Sequence, residues 1–459
     1  MKDNINNSIH LNLLATTTFL LSFLSLNLFS FNLYLSPIII YSLMILLGSI
    51  AIISLSNEDK LIKIKLFISI FSLLLIYILL HDSILLTFYP NKLPFDYPDD
   101  KTFYHFSDLS LPYLTGEKHF LTLFSFASYP MHDLPLHVMF SGTINLLSHI
   151  IDGENNILVQ KLLSPFFASL FSVILYSTLK FQFKNAHFAL RATLVYSLLS
   201  AMFIYSTSLM RDTDIALAYM LVIYLFFQPN SKLNFFFIFT IASITLYLRT
   251  ESGLVLFGIL LLYSYFYIQT IRSKNLRFIL YLFFITLFIF IVLLISGKLM
   301  AMINMRSEIN TTKALTHASS SSIGLLLNKL PFPLNTITKL LFGQIQPFPF
   351  FNAIDRFPEA LSGIFWPLIF ISMLYTIIQK NLQRHLNQKT ITLLLLALLV
   401  LLLMSSEPMA RRMMSVYPII YIVSLYFFLY SPRDKIKYTI LYYLFGIMTL
   451  NTLYYIIKL

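Results

Sequence analysis

The chain contains no cysteine and very little charge. Without a thiol it can form neither a disulfide nor a cysteine-ligated metal site. Charged residues make up only 11% of the 459 residues, far below the roughly 25% found in soluble domains. Glycine is also scarce, at 11 residues, and neither a glycine-rich phosphate-binding loop nor a G-x-S-x-G motif occurs. These absences argue against an NTPase and against a serine hydrolase.

Apolar and aromatic residues dominate what is present. Hydrophobic residues make up 58% of the chain, with 45 Phe and 28 Tyr, and the mean hydropathy is +0.77. This composition predicts an all-α integral membrane protein with aromatic side chains at the membrane interfaces. The net charge of +12 comes from basic residues in short loops between apolar runs. They form no patch, so we do not expect a nucleic-acid partner.

A membrane-spanning helix needs about 20 mostly apolar residues. The sequence has about thirteen candidate runs, of which those near residues 213, 233 and 390 are short. The first run follows Lys2 without a cleavage site and is interpreted as a retained span. The runs lie near 11–34, 37–56, 64–89, 157–179, 189–209, 213–228, 233–248, 252–271, 277–297, 362–379, 390–405, 413–430 and 437–457.

Basic residues in the short loops predict the orientation of the spans, because cytoplasmic loops are enriched in Lys and Arg. With a cytoplasmic N-terminus, the short inner loops hold about sixteen basic residues and the short outer loops about four. The predicted organisation therefore has two long loops on the outer side, the first with short amphipathic helices at the interface. Its five parts are transmembrane helices 1–89, outer loop 90–156, transmembrane helices 157–297, outer loop 298–361 and transmembrane helices 362–459.

Charged residues on the predicted outer side occur in four short motifs. The first loop opens with "NKLPFDYPDDKTFYHFSD", and arginine–acid pairs occur in "SLMRDTDIALAYM", "LYLRTESGLVLF" and "SSEPMARRMMSVYP". Such pairs can cap helices and hold loops, but ionisable groups near membrane depth also indicate a functional site. Arginine suits a phosphate because its planar fork binds two oxygens. The pairs comprise Arg211, Asp212 and Asp214; Arg249 and Glu251; and Glu407, Arg411 and Arg412.

The histidines of the first loop do not show the spacing of a metal site. His132 and His137 are five residues apart, whereas ligands on one helix face are three or four apart. We interpret these two, with His105 and His149, as loop polarity. No residue is assigned to a metal, and a requirement for a divalent metal is left open.

The number of spans and the acidic first outer loop resemble the GT-C superfamily of membrane glycosyltransferases, which use polyprenyl-phosphate-linked sugars. "YPDDKTFYHF" is similar to the acidic signature of their first outer loop, and "FGQIQPFPFFNAIDRFPEALSGIFWPLIF" is similar to segments of bacterial surface-glycan proteins. Three predicted spans precede the loop, two more than the one that commonly precedes it in the family. A Wzy-type O-antigen polymerase therefore remains the alternative, and a flippase or transporter of a lipid-linked glycan is a third interpretation.

The resemblance implies a reaction in cell-surface polysaccharide assembly, on the outer face of a bacterial inner membrane. Asp99 or Asp100 would be the general base on an acceptor hydroxyl of a glycan or lipid, unless this pair serves only to cap a helix. Asp96 and Asp108 are interpreted as loop or cap residues. The remaining candidates would bind the polyprenyl-phosphate-linked donor or the acceptor: Tyr104, His105, Arg211, Asp212, Arg249, Glu251, Glu407, Arg411 and Arg412.

Overall fold

Long apolar runs form helices because a backbone surrounded by lipid must satisfy its own N–H and C=O groups. The computed structural model describes residues 2–29, 34–55, 58–88, 98–119, 135–283, 357–403 and 414–458, and a few isolated residues between 285 and 341. Every regular element among these residues is a helix. The predicted all-α class is therefore confirmed.

The helices follow the apolar runs of the sequence. The N-terminal half has α1 (Lys2–Phe29), α2 (Ser36–Leu55), α3 (Lys60–Phe88), α4 (Pro98–Leu114), α5 (Pro135–Asp152), α6 (Ile157–Lys161), α7 (Leu163–Phe183), α8 (Ala186–Leu199), α9 (Ala201–Tyr205) and α10 (Asp212–Phe227). The remainder has α11 (Lys232–Leu248), α12 (Thr250–Gln269), α13 (Phe357–Ile378), α14 (Lys380–Gln383), α15 (Gln388–Leu403), α16 (Tyr417–Tyr430) and α17 (Arg433–Lys458).

Six helical stretches in the described part of the chain are long and apolar enough to cross a membrane. They are Ser36–Leu55, Lys60–Thr87, Ile157–Phe183, Thr250–Gln269, Glu359–Ile378 and Arg433–Ile456. Five further apolar helices, among them α8, α11 and α16, are shorter. The chain thus has the character of a membrane protein, while the count of about thirteen spans stays a prediction.

Two helices form the centre of the bundle. In α16, every residue from Tyr417 to Phe427 is buried, and α10 is buried along most of its length. They share one apolar cluster with α3, α7, α8, α11, α12, α13 and α15. By contrast, α17 exposes large apolar side chains such as Phe445 and Tyr442. An apolar exterior around a packed centre is the arrangement expected where lipid is the solvent.

The bundle has two ends that differ in their polar residues. At the aspartate end, which we define by Asp82, Asp100, Asp212 and Asp214, α4 and α5 pack beside the starts of α7 and α10. The lysine end is defined by Lys180 and Lys389, near the opposite ends of α7 and α10. The first predicted outer loop, 90–156, contributes α4 and α5 to the aspartate end.

The lysine end is held by ion pairs and by a capped helix. Lys180 lies 2.5 Å from a carboxylate oxygen of Asp59, in the turn between α2 and α3. Lys389 donates to the carbonyls of Phe226 and Gln228, where α10 ends. A cation at this position compensates the negative end of the helix dipole.

Candidate functional site

A buried carboxylate stands at the start of α4. Pro98 is the first residue of this helix, a position where its missing N–H costs nothing, and Asp100 follows in the first turn. Asp100 has no exposed surface, and its Oδ1 accepts a hydrogen bond from the backbone N–H of Leu209 at 3.1 Å. Asp100 therefore joins α4 to segment 206–211, which links α9 to α10.

Segment 206–211 is also held from α5 and α7. The carbonyl oxygen of Leu209 lies 3.3 Å from Nε2 of His137, and the carbonyl of Met210 accepts a hydrogen bond from the Ser164 hydroxyl at 3.2 Å. The backbone of this segment is thus contacted by side chains of three helices. Because α10 begins immediately after it, these contacts also fix the first turn of α10.

His137 and Asp214 form a buried pair between α5 and α10. Nδ1 of His137 lies 2.6 Å from Oδ2 of Asp214, and the two side chains are 3% and 2% exposed. The ring of Phe103 packs edge-on against the imidazole, with centroids 5.0 Å apart. The interpretation of His137 as loop polarity was therefore wrong, because this residue lies inside a helix and faces the bundle.

Arginines link α10 to the junction of α11 and α12. Arg249 lies 3.2 Å from a carboxylate oxygen of Asp212, and both side chains are largely buried. Arg211 donates to the carbonyl of Leu248 at 3.0 Å. Glu251 follows in the first turn of α12, where a carboxylate is favoured by the helix dipole. The predicted arginine–acid pairs at residues 211 and 249 thus meet in space.

A further ion pair lies inside segments that the sequence marks as membrane spans. Lys161 in α6 donates to Asp82 in α3 at 2.7 Å, and the lysine side chain has no exposed surface. His81 approaches the same carboxylate at 3.8 Å. Removing one partner of a buried pair costs about 3–5 kcal/mol, since it leaves the other charge uncompensated.

Asp108 belongs to a network of polar side chains rather than to a helix cap. Its Oδ1 accepts hydrogen bonds from Asn145 at 2.7 Å and from Asn155 at 2.5 Å. Asn155 in turn accepts from Gln160 at 2.7 Å. The network joins α4, α5 and α6 and completes the polar packing of the aspartate end.

A small cavity lies beside His137. Its volume is about 10 Å³, which is close to the minimum that holds one water molecule. Four of its lining residues are polar, and three are apolar. They are His137, Ser141, Gln160 and Ser164, with Phe103, Leu163 and Leu209. The cavity therefore suits a single small polar molecule and has no room for a sugar ring.

The remaining predicted residues of the first loop differ in accessibility. Tyr104 is half-buried and His105 is exposed. Burial, followed by the carboxylates of Asp108 and Glu154, raises the pKa of Tyr104, so its hydroxyl keeps its proton and can donate a hydrogen bond. The backbone of Asp99 lies in the first turn of α4, beside Asp100.

The structure brings together Asp100, Arg211, Asp212 and Arg249 from the predicted set. The predicted residues Glu407, Arg411 and Arg412, the side chain of Asp99 and most of loop 298–361 lie outside the described residues. Sequence reasoning missed His137, Asp82 and Lys161. Among the described residues, no three His, Asp or Glu side chains converge in a way that could hold a metal ion.

The aspartate end is therefore a set of buried, paired ionisable side chains at one end of a helical bundle. It offers carboxylates that can accept a proton and guanidinium groups that can bind an anion. Comparison with protein-family models, with curated proteins and with solved structures finds no match, so the site itself carries the functional argument.

Proposed function

We propose that the protein is a membrane glycosyltransferase that moves a sugar from a polyprenyl-phosphate-linked donor to a glycan or lipid acceptor. The observation that carries the proposal is the convergence of Asp100, Arg211, Asp212 and Arg249 around segment 206–211. Ionisable groups buried in a membrane protein are costly and mark sites of function. The reaction belongs to cell-surface polysaccharide assembly.

The transfer requires a base and a group that stabilises the leaving phosphate. A hydroxyl becomes a good nucleophile when a positioned carboxylate accepts its proton, and we assign this role to Asp99 or Asp100. Asp100 also positions segment 206–211 through its hydrogen bond to Leu209. The two aspartates therefore need separate substitution, because their roles are expected to differ.

Arg211 and Arg249 are proposed to bind the phosphate of the donor. Each guanidinium carries five N–H donors in a planar fork that can bind two phosphate oxygens at once. Arg211 contacts the carbonyl of Leu248, and Arg249 contacts Asp212. The pairing of Arg249 with Asp212 holds its side chain in place before substrate binds. Preorganised cations of this kind stabilise charge that develops on a leaving group.

The proposed location is a bacterial inner membrane, with the N-terminus in the cytoplasm and the aspartate end facing the periplasm or the exterior. Inner loops rich in Lys and Arg support this orientation. The lysine end, with Lys180 and Lys389, would then face the cytoplasm, consistent with the excess of basic residues there.

A Wzy-type repeat-unit polymerase is the second candidate, since it uses the same side of the membrane and the same kind of carrier. A flippase is less well supported. Transporters commonly place their sites near mid-membrane between two similar halves, whereas the most deeply buried ion pairs in the described part of this chain lie at the aspartate end.

Glycan profiling of a deletion strain tests the function directly. A missing sugar, restored by the wild-type gene, supports a single-sugar transferase. Loss of long chains with single repeat units retained supports the polymerase instead. An unchanged glycan profile, or export failure with complete lipid-linked glycan accumulating on the cytoplasmic side, would contradict both enzymes.

Complementation with variants then tests the assigned residues. Asp99→Asn or Asp100→Asn is expected to lower transfer by about 10²–10⁴-fold, the usual contribution of a general base. Arg211→Gln should raise the apparent KM for the lipid-linked donor. Lys101→Gln, an exposed change on the same helix, is the matched control. If both aspartate variants restore the full glycan at normal protein levels, the base assignment is wrong.

A further inference from the structure

With Asp214 ionised, both ring nitrogens of His137 face groups that only accept hydrogen bonds. Nδ1 lies 2.6 Å from a carboxylate oxygen of Asp214, and Nε2 lies 3.3 Å from the carbonyl oxygen of Leu209. A neutral imidazole has one N–H and one lone pair. In the neutral ring, the lone pair of one nitrogen would therefore point at an oxygen lone pair, whereas the doubly protonated ring donates to both partners.

The surrounding charges favour the same protonation state. Within the described part of the chain, the other cations of the aspartate end have partners of their own: Lys161 pairs with Asp82, Arg249 pairs with Asp212, and Arg211 donates to a backbone carbonyl. His137 is the basic group that contacts Asp214. A carboxylate buried without a cation carries a large free-energy cost.

The groups that face His137 from the neighbouring helices are few. From α10 comes Asp214, whose other oxygen accepts from Thr213 at 3.3 Å. From α4 come the ring of Phe103 and, across the Leu209 peptide, the carboxylate of Asp100. The cavity wall from α6 and α7 contributes neutral Gln160 and Ser164. The charged side chains that these described residues bring toward His137 are thus carboxylates.

We propose that His137 is doubly protonated in the folded protein and is a positioning residue. Its charge neutralises Asp214, and its second N–H holds the carbonyl of Leu209. The ring thereby fastens α5 to segment 206–211 and to the first turn of α10. The proposed charge on His137 follows from its contacts alone and holds whichever reaction the protein carries out.

The protonation state can be read by solid-state NMR of the full chain in lipid bilayers. Histidine labelled with ¹⁵N is incorporated, and spectra are recorded at about pH 7.5, where a histidine free in water is mostly neutral. The signals lost in His137→Asn identify this residue among the ten histidines. Two protonated ring nitrogens are expected. One protonated and one unprotonated nitrogen would overturn the proposal.

Thermal stability gives a second readout. His137→Asn keeps a neutral donor near Asp214 but removes the charge, so the apparent melting temperature should fall by about 3–5 °C. The double variant His137→Asn with Asp214→Asn should recover part of this loss, because position 214 no longer holds a carboxylate without a cation. His149→Asn, an exposed change on the same helix, is the control and should melt like wild type.

Two results of the stability series would contradict the charged pair: a melting temperature of His137→Asn equal to wild type, or losses that simply add in the double variant. Should His137→Asn fail to accumulate, Asp214→Asn assigns the same NMR signals, since loss of the counter-charge shifts them. The protonation readout on the wild-type chain then decides the proposal.

Discussion

The missing side chain of Gly142 lets α4 and α5 approach closely. A Cβ atom added at this position would lie 1.9 Å from the hydroxyl oxygen of Ser110 and 3.1 Å from a methyl group of Leu114. Such contacts cannot form unless the side chains of Ser110 and Leu114, or α4 itself, shift. This close approach supports the position of Asp100, which is carried by α4 into the bundle.

Gly142→Ala is therefore expected to destabilise the protein by about 1–3 kcal/mol, the usual cost of overpacking. The measurement is the apparent melting temperature of the purified chain in detergent. Gly258→Ala is the matched control, because a Cβ there meets nothing within 4 Å. Equal melting temperatures for the two variants would show that α4 and α5 are not packed as described.

Individual residues of the site were predictable to different degrees. Asp100 and the pair Asp212–Arg249 could be found because charge is rare and clustered in short motifs. Asp82 and Lys161 carried an equally strong signal, since both are ionisable residues inside predicted spans. The partner of His137, Asp214, is 77 residues away, and no local pattern indicates a pair formed by tertiary packing.

The start of α2 is capped by an element far away in the sequence. The carboxylate of Asp152, at the end of α5, accepts hydrogen bonds from the backbone N–H groups of Leu35 and Ser36, both at 3.0 Å. Burial raises the pKa of Asp152, but the hydrogen bonds from Ser36 and Leu35 outweigh it, and the pKa is lowered. The charged form of Asp152 therefore stabilises the contact between α5 and α2.

Asp152→Ala should destabilise the protein by about 1 kcal/mol near neutral pH, the typical value of a cap. The pKa of Asp152 in the folded protein lies below its ordinary value of 3.8. The ionised carboxylate therefore stabilises the folded protein above about pH 3.8, and this stabilisation is lost as the pH falls through the folded-state pKa. The difference in melting temperature between wild type and Asp152→Ala should therefore shrink below about pH 4. Melting curves from pH 7 to pH 3 measure it, with Glu117→Gln as an exposed control. A difference that does not change with pH would contradict this cap.

Helices could be predicted from apolar runs, but breaks inside a run could not. The run at 189–209 was predicted as one span, whereas α8 ends at Leu199 and α9 begins at Ala201. Ser200 between them is extended, and its hydroxyl accepts from the N–H of Met202 at 3.2 Å. A single serine barely lowers the mean hydropathy of a long apolar run, so only the backbone reveals this break.

At the scale of the whole molecule, the predicted outer loops and the predicted inner loops lie at different ends of the bundle. Residues predicted to lie in outer loops, such as Thr115, follow α4 at the aspartate end. Residues of predicted inner loops, such as Asn275, follow α12, which runs away from the aspartate end after Arg249. The fold is thus compatible with the orientation derived from charge.

The absence of native cysteine makes this orientation directly measurable. Thr115→Cys should react with a membrane-impermeant maleimide in intact cells whose outer membrane has been opened. Asn275→Cys should react only after the inner membrane is permeabilised. Both residues are exposed, so unequal labelling reports sidedness rather than burial. The reverse pattern would place the aspartate end in the cytoplasm and would contradict the proposed location.

The hydrogen bond between the N–H of Leu209 and Asp100 should slow the exchange of this amide proton with solvent. Backbone amides outside helices commonly exchange fast with solvent, yet the N–H of Leu209 is sealed by a carboxylate with no exposed surface. Exchange of this proton requires its hydrogen bond to Asp100 to break, as it does when the start of α4 moves away from segment 206–211. The exchange rate of this amide therefore reports how often the start of α4 separates from segment 206–211.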